Sequence, residues 1–139
     1  MINDSNVIKP MPAIPDIVLD TLAEPGSVKM VGTVDKDGKP NVVVISTIAV
    51  LNPETIAFAD VRLGKTKDNL HKTGKLTVSV LGTTGKTYQV RCRFVAFDNK
   101  SEMYDRWFDA LWQKLSLQFN ISIQLKGVAI AKVMEVVQD

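Results

Sequence analysis

Apolar and polar residues alternate along most of this chain, and the period of two gives way to a helical one in only three places. The clearest alternation runs through "KTYQVRCRFVAF", where Tyr88, Val90, Cys92, Phe94 and Ala96 share one side and Gln89, Arg91 and Arg93 the other. That is the pattern of a strand with one face on a core. "SVKMVGTV" and "PNVVVISTIAV" flank Asp35-Lys36-Asp37-Gly38-Lys39, a polar turn with a glycine where positive φ is expected, and together they predict an antiparallel hairpin. The second of these segments is apolar on both sides, with Val42, Val44, Ile48 and Val50 opposite Val43, Ile45 and Ala49. Read as one strand, it forms a barrel wall whose outer face needs cover from a helix or a second subunit. Asn52-Pro53-Glu54 turns the chain into "TIAFAD"; "KLTVSVL" follows, then a turn at Gly82-Thr83-Thr84-Gly85, and "KGVAIAKVMEVV" supplies a last strand to close the barrel.

The helical places differ in strength. "KPMPAIPDIVLDTLAEPG" opens with spaced prolines, an extended arm, and continues into a short helix that stops at Pro25-Gly26. "TKDNLHKTG" predicts about two turns ending near Gly74. The strongest is "EMYDRWFDALWQKLSLQF", with Asn99 or Ser101 as its cap. There Met103, Trp107, Leu111 and Leu115 form one ladder beside a second of Tyr104, Phe108 and Trp112. So wide a stripe is mostly core, and its two tryptophans also suit a subunit interface or an aromatic wall beside a ligand.

A length of 139 residues and the lack of repeats or linkers predict a single domain over 1–139, with the arm and short helix occupying about 1–25. The chain is 45% apolar and 23% charged, and it has neither a membrane-length apolar run nor a secretory N-terminal pattern, so a cytoplasmic protein is expected. One cysteine, Cys92, and one histidine, His71, exclude an internal disulfide and argue against a conventional zinc site; no metal is expected. They also leave no Ser-His-Asp or Cys-His catalysis unless it runs through His71. Cys92, on the apolar side of its strand, reads as a small core residue. The net charge of +2 does not announce a nucleic-acid binder. Its distribution is uneven: Arg62, Lys65, Lys67, Lys72 and Lys75 crowd one region against Asp60 and Asp68, as a solvated face or a local anion site.

Gly64-Lys65-Thr66 matches the end of a nucleotide-binding P-loop, but Ala59 stands where that motif needs its first glycine. The second candidate, "VLGTTGKT", has Val80 there and runs into a strand. The chemistry of the pair survives the loss of the motif. At the N-terminus of a short helix, an ammonium and a hydroxyl beside backbone N–H groups can hold one phosphate; equally, Thr66 could cap the helix and Lys65 be solvated.

The order "VGTVDKDGKPNVVVIS", "IAFADVRLGKTKDNL", "KLTVSVL", "YQVRCRF", a tryptophan-bearing helix and "LKGVAIAKVMEVV" resembles the small FMN-binding split-barrel proteins of the pyridoxamine 5′-phosphate oxidase-like superfamily, from about Gly26 onward. The resemblance implies a mainly β fold with flanking helices, a six-stranded antiparallel split β-barrel, and a homodimer with FMN in grooves at the subunit interface. It implies Lys65 and Thr66 as the phosphate pair and Asn69 as the residue fixing that turn. Val44, Ile45 and Ser46 match the strand beside the isoalloxazine ring and ribityl chain, Ala59 and Asp60 the end of the neighbouring strand, and Gln89 an additional contact. The basic and histidine residues that bind the substrate phosphate in full-length oxidases have no counterpart here, so vitamin B6 oxidation is not expected. Cys92 also stands where relatives often have a smaller residue.

The function implied is a flavin-dependent oxidoreductase acting on a small molecule, with a nicotinamide donor as a candidate partner. A flavin electron carrier or store is the alternative, and a small β-barrel nucleic-acid module the third. Relatives that bind haem or a deazaflavin belong to the same superfamily.

Overall fold

A computed structural model describes residues 13–45, 48–60, 63–99, 105 and 127–138, with residues 7–9 and Asp60 described by their backbone. The elements are β1 (Val7–Lys9), α1 (Asp16–Ala23), β2 (Val28–Val34), β3 (Pro40–Ile45), β4 (Ile48–Asn52), β5 (Thr55–Asp60), α2 (Lys65–Thr73), β6 (Lys75–Leu81), β7 (Thr87–Asp98) and β8 (Gly127–Gln138). Of the expected helix over 102–119 only Asp105 is described, in a helical conformation; Met103, Tyr104, Trp107, Phe108, Leu111, Trp112 and Leu115 lie outside the described residues.

All pairings are antiparallel, in the order β3-β2-β6-β7-β8-β5-β4, with β1 added on β8. The six expected strands are present, and the described residues hold eight because β1 forms in the arm and the segment 40–50 is divided. That division corrects the reading of "PNVVVISTIAV" as a single strand. Its first half pairs with β2 and its second half with β5, at opposite ends of the path. A flat sheet of seven strands would hold those edges roughly 29 Å apart. Three peptide units join Ile45 to Ile48, which limits their separation to about 11 Å. The sheet must therefore curl until its edges meet, and the segment is apolar on both sides because it passes from one edge to the other.

The interior is built from rows of cross-strand neighbours. Val31, Val78, Val90 and Val136 pair in sequence across β2, β6, β7 and β8, and all four are fully buried. Each such side chain contributes about 1.5–3 kcal/mol through loss of apolar surface from water. Cys92 faces the same interior; burial pushes its thiol pKa up to about 12. Beyond Phe94 the alternation of β7 fails. A register shift between Phe94 and Ala96 leaves Val95 and Ala96 both exposed, so Ala96 does not join the apolar side assigned to it. Such bulges turn a strand and increase its twist, which suits a curled sheet.

Helices α1 and α2 both pack onto the barrel. Val18 and Leu22 of α1 enter the core, and Glu24, just past its end, accepts hydrogen bonds from the Thr83 N–H (3.0 Å) and hydroxyl (2.6 Å) in the β6–β7 turn. Leu70 of α2 is likewise buried in the core, and this helix ends at Gly74 with φ 68°, the left-handed conformation that glycine adopts without strain.

Candidate functional site

Three segments meet at one corner of the barrel. β4 begins with Ile48 paired to Phe58, so the end of β3 and the end of β5 are neighbours through the short 45–48 link. From Asp60, whose backbone pairs with Gly127, four residues carry the chain to Lys65 at the start of α2. Gly64 makes the last bend with φ 52° and ψ −114°. A Cβ there would meet nothing within 4 Å, so the demand for glycine is conformational.

α2 is fixed to the β2–β3 hairpin by polar contacts in an otherwise apolar interior. Asn41 Nδ2 donates to Thr66 Oγ1 at 2.9 Å, and Asn69 Nδ2 donates to Thr33 Oγ1 at 3.1 Å. The Thr73 hydroxyl reaches the Val34 carbonyl at 3.1 Å and the Asn69 carbonyl at 3.0 Å. Thr33, Thr66 and Asn69 are all buried, where an unmade hydrogen bond costs far more than on the surface. Along another side of α2, Lys67 and His71, one turn apart, both face Phe97. The Lys67 Nζ lies 4.9 Å from that ring's centroid and the His71 ring 5.1 Å, with Phe94 completing the cluster 4.9 Å from Phe97. His71 is thus an exposed residue packing on a half-buried aromatic pair.

The N-terminus of α2 has no side-chain cap, which leaves the positive end of its dipole open. Thr66 does not cap it. Its N–H bonds the Leu63 carbonyl at 2.9 Å, and its fully buried hydroxyl receives the Asn41 proton, while no acceptor among the described residues takes the hydroxyl's own proton. Lys65 is exposed beside it. The Asp35 carboxyl is held below its ordinary range chiefly by the Lys39 N–H, with a smaller contribution from the Lys65 charge.

Among the other expected site residues, Val44 is 72% exposed and Ile45 buried, at the end of β3; Ala59 is buried in β5. β3 is an end of the sheet path, so one side of its backbone has no strand partner among the described residues. From Asn41, tied to Thr66, to Val44 is about 10 Å along that edge. Ser46, Arg62 and the side chain of Asp60 lie outside the described residues. Gln89 is not brought to this corner within one chain. It lies in the row Val44–Met30–Ser79–Gln89, three strand spacings or roughly 14 Å from Val44. Sequence reasoning passed over Asn41, Thr33 and Thr73. The only signal was a polar residue at an inward position of an apolar strand, or one turn from Asn69.

Among the described residues no three His, Cys, Asp or Glu side chains gather as a metal site, and no helix is long and apolar enough to cross a membrane.

The family model for pyridoxamine 5′-phosphate oxidase matches residues 18–136. No curated protein sequence matches the chain. Among solved structures, an FMN-binding protein from Syntrophomonas wolfei subsp. wolfei is 25% identical, with a TM-score of 0.68 over 79% of this chain and 75% of that one. HupZ from Group A Streptococcus is similar in fold at 17% identity, with a TM-score of 0.69 over 90% of this chain and 93% of that one. The haem storage protein HutZ from Vibrio cholerae is 15% identical, with a TM-score of 0.61 over 91% of this chain and 95% of that one.

Proposed function

This chain belongs to the pyridoxamine 5′-phosphate oxidase family, and from that membership we propose that it is an FMN-binding flavoprotein, an oxidoreductase that works as a homodimer on a small molecule. The observation that carries the reading is the Lys65–Thr66 corner: an exposed ammonium, an uncapped helix start and a buried hydroxyl whose proton has no acceptor among the described residues. That donor set fits a phosphate monoester.

Lys65 neutralises the phosphate, and the Thr66 hydroxyl, held by Asn41, donates to it. The open edge of β3 offers backbone N–H and C=O groups to the ribityl chain and to the polar rim of the ring near Val44, Ile45 and Ser46. Ala59 and Asp60 bound the other side. FMN supplies hydride or electron transfer when bound, and the protein supplies position and access. A second copy covers the apolar end of the outer face, where Val44, Val28 and Leu81 are exposed, and brings its Gln89 to the groove. The 25% identity to an FMN-binding protein supports flavin over other cofactors of the fold.

The first test is the visible spectrum of the purified protein, with FMN added to a colourless preparation. A flavin spectrum, with FMN released on denaturation, is expected. A Soret band after haem addition with no flavin binding would refute the reading. Lys65→Ala is expected to weaken FMN binding by about 1–3 kcal/mol in a fluorescence titration without unfolding the protein, because it removes one charge-assisted contact. An unchanged affinity would move the phosphate elsewhere.

A further inference from the structure

Opposite the apolar end, the outer face of the sheet carries a row of like charges. Lys75 of β6 pairs directly with Arg93 of β7, and Arg93 with Lys132 of β8. All three are exposed, and they are separated widely in sequence. Lys132 has Glu54 at 4.0 Å, whereas Lys75 and Arg93 have no acidic partner among the described residues. One row away, Arg91 pairs with Glu135, so the sheet does match a cation with an acid where nothing else is asked of it. Like charges directly opposite each other destabilise a sheet. Three in succession, about 4.8 Å apart, are the arrangement that an anion with several charged oxygens would relieve.

At Lys75 the row borders a cavity of 470 Å³, lined also by Arg91, Thr77, Gly32, Val42 and Met134. Its two ends are apolar, at Val42 on β3 and, four strand spacings or roughly 19 Å away, at Met134 on β8, which are 62% and 50% exposed. Gly32 leaves an opening in its floor: a Cβ there would meet nothing closer than the Thr77 carbonyl oxygen at 3.9 Å. The volume is in the range of small-molecule sites. A flat apolar surface beside a strip of cations matches a ligand that is part ring and part phosphate.

We propose that this cavity and the Lys75–Arg93–Lys132 row bind a nucleoside diphosphate group, the base over Gly32 against Val42 and the phosphates on the cations. The cavity also touches Asn41, whose amide holds Thr66, but Gly32, Lys75, Arg93 and Lys132 take no part in the Lys65 corner, so ADP binding without flavin tests this site separately. In the proposed oxidoreductase it would serve a dinucleotide donor; free ADP has the same recognition chemistry.

The test is calorimetric titration of the whole protein with ADP, adenosine, inorganic pyrophosphate and NADH, without added flavin. ADP is expected to bind at least about tenfold more tightly than adenosine, the scale of one charge-assisted contact, and pyrophosphate to compete with it. NADH binding more tightly than ADP would identify the dinucleotide as the source, and the reverse a free nucleotide. Arg93→Glu is expected to weaken ADP at least about tenfold while leaving FMN affinity unchanged and Tm no lower than the parent's, because it replaces like-charge pairs with opposite ones. Gly32→Val, which the strand can accept, should remove ADP binding by filling the floor. Equal affinity for ADP and adenosine, no binding of ADP, indifference to Arg93→Glu, or displacement of ADP by a single-stranded oligonucleotide at lower concentration would each overturn the proposal.

Discussion

Replacing Asn69 with alanine tests whether α2 is held by its buried amide. The Asn69 side chain is 2% exposed and gives its Nδ2 proton to Thr33 Oγ1, itself 4% exposed. The lost hydrogen bond is worth about 0.5–1.5 kcal/mol net, and leaving a buried hydroxyl without its donor adds about 1–3 kcal/mol. Alanine recovers about 0.5 kcal/mol through its higher helix propensity. The expected destabilisation is therefore about 2 kcal/mol, which lowers Tm by roughly 8 °C in a domain of this size. Thr33→Val should cost about 1–2 kcal/mol because it strands the amide instead. In urea titrations followed by circular dichroism, the two substitutions should be less than additive, with a coupling of about 1 kcal/mol. A single-mutant cost under about 0.5 kcal/mol, typical of a surface site, or full additivity of the pair, would refute the claim that this bond anchors the helix.

Other consequences are simpler to state. The Thr83 hydroxyl and N–H hold the Glu24 carboxyl below its usual range. Because the folded value is the lower one, the stabilisation is complete above the unfolded pKa near 4.5 and is lost as pH falls through the folded value. Glu24→Gln should thus be less stable than the parent at pH 7 in denaturant titrations, with the difference closing below pH 4.5, and a pH-independent gap would contradict this. Burial of the Cys92 thiol, with its pKa near 12, makes native alkylation by iodoacetamide at pH 8 slower than that of the unfolded chain by at least about a hundredfold; comparable rates would place the thiol at the surface. Gly64→Ala puts a side chain at φ 52° and ψ −114°, outside the left-handed helical well, where no neighbouring atom obstructs it, so its cost should be the backbone one of about 1–3 kcal/mol, together with weaker FMN binding as Lys65 shifts. Native stability and affinity in that variant would show that the bend is not required.

What the sequence determined by itself was everything with a local cause. Period-two patterning marked β2 and β5 to β8, since a side chain's face follows from its own neighbours along the strand. Turn chemistry put Gly38 at φ 82° and Gly74 at the end of α2, because a tight polar turn and a helix end each call for positive φ. The same local logic placed Lys65 at a helix start and Cys92 on the inside. Tertiary structure decided which strand each segment meets. The 40–50 segment reads as a single strand because hydrophobicity does not record a change of partner, and its division follows from the closure of the curled sheet. Thr66 looks like a helix cap in sequence, yet Asn41, 25 residues earlier, takes its oxygen once the hairpin folds over α2. The row Lys75–Arg93–Lys132 is likewise invisible until register is fixed, since a slip of one residue would send these side chains to the opposite face.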